Sequence, residues 1–150
     1  MKGETIRKGA NLALPVIAVG LLIFYELCDT ACSSLRGTFL GIDLKIVGVL
    51  FMAVFLGTLP FGKMPSLAGP MEHLRTMMLA GAVGGEVILV RFQVVNDTYC
   101  PLCLAFGLCV LALFAANVPR MNRYLAAAAF VAGAAVFALF FRGSVLPLYS

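Results

Sequence analysis

Long apolar runs alternate with short polar connections along this chain, and that alternation restricts its fold more than any other feature. Five runs, about Leu12 to Leu27, Leu44 to Leu59, Leu74 to Val94, Tyr99 to Val118 and Tyr124 to Phe141, approach or reach the length that crosses a bilayer. With 62% hydrophobic residues, 12% charged residues and a mean hydropathy of +1.02, the composition lies outside the range of soluble globular domains. In hydrocarbon a segment must satisfy its own backbone polar groups, so each run is predicted to be a helix. The expected fold is an all-α membrane protein with one integral membrane domain over residues 1–150. A four-helix transmembrane bundle is expected at about 10–118 and a fifth transmembrane helix at about 124–142.

The connections give the orientation. Residues 1–10 carry Lys2, Arg7 and Lys8, and the run behind them is read as a retained span. Asp29-Thr30-Ala31 before Cys32 is neither a small-x-small cleavage site nor a lipoprotein box. Residues 28–43 form a loop long enough for a short helix lying at the interface. Pro60, Gly62, Lys63 and Pro65 end the second run, and Pro119, Arg120 and Arg123 follow the fourth. With the N-terminus cytoplasmic, Lys2, Arg7, Lys8, Lys63, Arg75, Arg120 and Arg123 fall inside, against Arg36, Lys45, Arg91 and Arg142 outside. The basic excess inside favours this orientation. It puts the 28–43 loop, the 96–100 turn and the C-terminus on the extracytoplasmic face.

Cysteines supply the candidate chemistry. Cys28 with Cys32 and Cys100 with Cys103 form two close pairs and leave Cys109 over. In Cys100-Pro101-Leu102-Cys103, the polar Asn96-Asp97-Thr98 turn gives way to the fourth run. With Cys100 near the cap and Pro101 near the first helical position, the proline loses no backbone bond. The positive end of the helix dipole there favours a thiolate, the form that attacks disulfides. Two dithiols on one oxidising face can exchange with each other. Electrons taken from a soluble protein must then leave for an acceptor, and in an apolar bundle without haem, flavin or metal motifs the natural acceptor is a lipid-soluble quinone.

Other residues carry less. Glu86 and Arg91 fall inside the third run, where charge is expensive unless it meets a partner or the interface. Arg91 is close enough to the end to snorkel outward. Glu86 is deeper and faces either a structural polar contact or the redox site. Gly81, Gly84 and Gly85 predict close packing against a neighbouring helix. Cys109 is expected to be a packed, inert thiol. Phe106, one turn from Cys103, is a candidate wall for a quinone pocket. A lone His73 offers no metal cluster, and the chain has no aromatic-plus-basic stripe or Gly-rich phosphate loop that would suggest nucleic-acid binding.

A loop pair after span one, a CxxC opening span four and an added fifth span together resemble the vitamin K epoxide reductase family. Cys32-Ser33-Ser34-Leu35, Leu40-Gly41-Ile42-x-Leu44 and Tyr99-Cys100-Pro101-Leu102-Cys103-Leu104 carry the resemblance over roughly residues 10–118. It implies a four-helix catalytic core holding a quinone (ubiquinone, menaquinone or a vitamin K form) against Cys103. Cys100 would exchange with Cys32, and Cys28 would meet a thioredoxin-like protein. The family's quinone-bonding hydroxyl falls on Thr38, Ser33 or Ser34, with Thr38 favoured by its spacing from Cys32. Cys28 and Cys32 are closer together than the family's loop pair, near enough in one helical turn to bond to each other. Bacterial members form disulfides in the inner membrane while reducing quinone, and many continue into a fused thioredoxin-like domain. This chain stops at Ser150, so a separate extracytoplasmic partner is implied.

Three functions compete at this level. The first is a quinone-dependent thiol-disulfide oxidoreductase. The second is a membrane metal-ion binder or carrier with the paired cysteines as thiolate ligands. The third is a conductor of reductant across the membrane, which would need cysteines reachable from both faces. The proline within CxxC and its place at a helix start suit the first.

Overall fold

In the computed structural model, residues 2–27 and 35–145 are described. Five helices follow one another: α1 (Lys2–Leu27), α2 (Leu44–Phe61), α3 (Ala68–Val95), α4 (Pro101–Asn117) and α5 (Arg123–Phe140). All five are long and apolar enough to cross a membrane, and the chain is an all-α integral membrane protein in its spanning part. The α1 helix starts well before the apolar run that predicts it. Its polar first turns are held by a Glu4–Lys8 ion pair of 3.4 Å at i,i+4 spacing and by Arg7, 3.7 Å from Glu72 of α3.

The core is shared by four helices: Ala18 of α1, Met52 and Phe55 of α2, Leu79 and Val83 of α3, and Val110 and Leu113 of α4. The α5 helix contributes no fully buried residue and packs on the outside of α3. Lipid gives no hydrophobic drive for two helices to associate, so close backbone approach has to hold them together. A Cβ on Gly84 would run into the Phe130 carbonyl and stand 2.8 Å from the Ala134 nitrogen; one on Gly133 would stand 2.6 Å from the Gly81 Cα. The glycines of the third run thus do what their spacing predicts, with α5 as the neighbour.

Polar side chains tie the bundle at intervals. Asn11 of α1 and Asn117 of α4 exchange hydrogen bonds: the Asn11 amide donates at 3.1 Å and the Asn117 amide at 2.6 Å. Arg75 of α3 donates from Nε to the Thr58 hydroxyl at 3.1 Å and from Nη2 to the Thr58 carbonyl at 2.6 Å, joining α3 to α2. Such groups are tolerated in hydrocarbon because each finds a partner inside the bundle.

A small antiparallel sheet departs from the expected helical loop. Strand β1 (Leu35–Phe39) pairs with β2 (Ile42–Asp43) on one side and with β3 (Phe141–Val145) on the other. Over residues 35–43 the short interfacial helix is therefore replaced by a hairpin. Its two turn residues, Leu40 at φ 54° and Gly41 at φ 82°, both take the left-handed conformation that a tight two-residue hairpin turn requires. The last span likewise ends at Phe140, and Arg142 lies in a strand. At the centre of the β1–β3 ladder Gly37 faces Gly143, which leaves room for the rings of Phe141 and Phe92.

Candidate functional site

The α3 helix ends in a Schellman closure that sets up the start of α4. Asp97 takes φ 47°, the Thr98 N–H donates to the Gln93 carbonyl at 3.1 Å and the Asp97 N–H to the Val94 carbonyl at 3.3 Å. The chain then turns back with Cys100 as the N-cap of α4 and Pro101 in the first helical turn, as the sequence predicts. The Gln93 side chain, 3% exposed, accepts the Cys100 N–H at 2.9 Å, so a buried cap that lacks a helical partner is satisfied from the neighbouring helix. The Cys103 N–H points at the Cys100 sulfur, 3.3 Å away.

The two CxxC cysteines differ in state. Cys100, 1% exposed, is disulfide-bonded, whereas Cys103 and Cys109 are free thiols. Cys103 lies on the wall of an open cavity of about 680 Å³ lined by residues of all five helices and the sheet. That volume falls within the range of small-molecule sites. Phe106, Phe51, Val110, Leu89 and Met77 make much of its surface apolar, and α5 closes one side with Ala132, Val136 and Phe137. Polar groups gather at one end, where Glu26, Arg36, Asp43 and Lys45 line the cavity and Lys45 Nζ lies 2.6 Å from a Glu26 carboxylate oxygen. Deeper in, Glu86 faces the same space as Cys103.

Of the residues singled out in the sequence, Cys103 and Phe106 are brought together on this wall. Gly48 of α2 leaves room for the Phe106 ring, since a Cβ there would stand 3.3 Å from it. Thr38 is elsewhere: it is absent from the cavity lining, and its hydroxyl lies 3.4 Å from the Arg142 carbonyl across the β1–β3 ladder. Its neighbours Arg36 and Gly37 do line the cavity. Cys28, Cys32, Ser33 and Ser34 lie outside the described residues. Cys109 is half-buried among residues packed against the core and is not on the cavity wall. Arg91 is exposed at the α3 surface, as snorkelling requires. Among the described residues no three potential metal ligands cluster.

Sequence reasoning missed Gln93, the charged residues Glu26, Arg36, Asp43 and Lys45 on the cavity wall, and Gly107, where an added Cβ would stand 2.7 Å from Glu86 Oε2. Gln93 left one signal, a polar side chain just before the end of an apolar run. Gly107 left none, because the side chain that needs its empty space comes from another helix. In comparisons with known proteins, no family model matches the chain and no curated sequence is significantly similar to it. The fold itself defines the class: an integral membrane protein whose described residues form five helices long and apolar enough to span, around a largely apolar cavity that carries a thiol.

Proposed function

We propose that this protein is a quinone-dependent thiol-disulfide oxidoreductase that forms disulfides in a separate thioredoxin-like protein. The observation that carries this reading is the contrast between neighbours. Cys103 is a free thiol on the wall of a cavity large and apolar enough for a quinone ring, while Cys100, one helical turn away, is already held in a disulfide. Following the resemblance of the loop pair and the CxxC, we assign Cys32 as the cysteine that exchanges with Cys100. Cys28 is then left to exchange with the soluble dithiol protein.

In this scheme Cys28 and Cys32 pass electrons inward by disulfide exchange, each step conserving one sulfur–sulfur bond. The chain's last act is to join Cys100 to Cys103, which delivers two electrons and two protons to the quinone in the cavity. Phe106, Phe51 and Val110 fit an apolar ring, and the charged mouth at Arg36 and Lys45 fits its polar edge. The basic residues assigned to the cytoplasmic side by the sequence support a bacterial inner-membrane orientation with the dithiols outside.

Purified protein mixed with a reduced dithiol protein and a short-chain quinone tests the reading by quinone absorbance. Cys103→Ala should abolish quinone reduction, and Cys32→Ala or Cys100→Ala should stop electron flow from the protein substrate. Cys28→Ala should block the protein substrate yet leave part of the oxidation of small dithiols. Wild-type turnover in Cys103→Ala, or thiol oxidation indifferent to quinone, would refute the assignment.

A further inference from the structure

Glu86 occupies a place that the relay above does not use. It lines the main cavity together with Cys103, and it also lines a second, lipid-side groove of about 410 Å³ with Val90 and Leu108, so its side chain stands in the seam between α3 and α4. The seam is cut to fit it. A Cβ on the buried Gly107 would stand 2.7 Å from Glu86 Oε2 and 3.2 Å from Cδ, and these Glu86 atoms are the nearest it would meet. Glu86 makes no hydrogen bond or ion pair with another described residue, in contrast to Arg75, Asn11 and Asn117, whose polar groups are all partnered. Gly107 is four residues beyond Cys103, about 6 Å further along the α4 axis at the backbone, and Glu86 and Cys103 line the same cavity. A carboxyl kept in an apolar bundle with no partner among the described residues costs stability and points to proton handling.

We infer that Glu86 is the proton carrier between the Cys103 thiol and the ring of the electron acceptor bound in the cavity. The inference rests on the quinone reading above. Joining the Cys100 and Cys103 sulfurs forms one S–S bond, breaks two S–H bonds and releases two electrons and two protons. The acceptor's two carbonyl oxygens become hydroxyls. Glu86 takes the Cys103 proton and delivers it to the nearer oxygen, ending as it began. The Cys100 proton leaves to solvent, and the second oxygen takes its proton from solvent. Gly107 holds the carrier in line by leaving it space.

The full-length protein in detergent, with its CxxC dithiol reduced, is mixed with a short-chain benzoquinone in light and heavy water. Glu86→Gln should slow the single-turnover oxidation on the order of a hundredfold, the scale of general acid–base assistance, with KM for the dithiol protein unchanged. Glu86→Asp should recover part of the rate. Redox-difference infrared spectra should contain a carboxyl band that shifts in heavy water and vanishes in Glu86→Gln. Gly107→Ala should slow the reaction when Glu86 is present and add nothing in Glu86→Ala. Wild-type rates in Glu86→Gln, or no Glu86-dependent carboxyl band, would overturn the assignment while leaving the oxidoreductase reading intact. Loss of quinone-dependent oxidation in the wild type itself would overturn both.

Discussion

Gln93, at the end of one helix, accepts the backbone N–H of Cys100, the residue that starts the next, at 2.9 Å in a fully buried setting. This bond fixes the height of the CxxC relative to α3, and so of Cys103 relative to the cavity wall. Replacing the acceptor leaves a buried donor unpaired, which costs about 1–3 kcal/mol. Gln93→Leu should therefore lower the thermal midpoint in detergent, and Gln93→Glu, which keeps an acceptor oxygen, should lower it less. Equal midpoints for wild type and Gln93→Leu would remove the bond from any structural role.

The α3–α5 contact should be sensitive to a single methyl group. Gly84→Ala places a carbon against the Phe130 carbonyl and the Ala134 nitrogen, both backbone atoms that move only if the helices separate. Overpacking of this kind costs about 1–3 kcal/mol. Gly20→Ala on α1, where nothing lies within 4 Å of the added carbon, should be neutral or stabilising by about 0.5–1 kcal/mol. Unfolding curves of the two variants side by side check the contrast.

Asn11 and Asn117 form the polar link between the first and fourth helices. Hydrogen bonds between membrane helices contribute about 0.6 kcal/mol on average and up to about 1.7 kcal/mol. A double-mutant cycle with Asn11→Ala and Asn117→Ala should return a coupling energy within that interval. The Asn117 amide also donates to the Leu113 carbonyl at 2.8 Å, so Asn11→Ala should be the milder single change.

Alkylation separates the thiols. Under non-reducing conditions Cys103, half-buried on the cavity wall, should take up a small maleimide, and Cys100 should react only after reduction. Peptide mass analysis reads both positions. Cys109→Ala should leave the pattern and the thermal midpoint near wild type.

Much of the architecture was legible because bilayer physics writes itself into long apolar runs, and the helix start at Cys100-Pro101 because proline and a polar turn announce it. The hairpin was not. Phe39-Leu40-Gly41-Ile42 reads as the apolar approach to a span, and the strand that completes its sheet, Phe141–Val145, lies about a hundred residues away, beginning where the fifth span was expected to end. Helix starts were misjudged at Lys2 and Ala68 because hydropathy marks where lipid begins, whereas backbone hydrogen bonding continues beyond it. Cys103 and Phe106 were readable as neighbours from helical spacing. Gln93 and Gly107 act through partners on other helices, and no local pattern reveals a partner.

The pairing of Leu35–Phe39 with Phe141–Val145 makes the fifth helix more than an outer plank. Its lower end is free of the core, but its upper end is buttoned to the segment that supplies Arg36 and Gly37 to the cavity. That ladder sets where the C-terminal end of α5 stands relative to the cavity mouth.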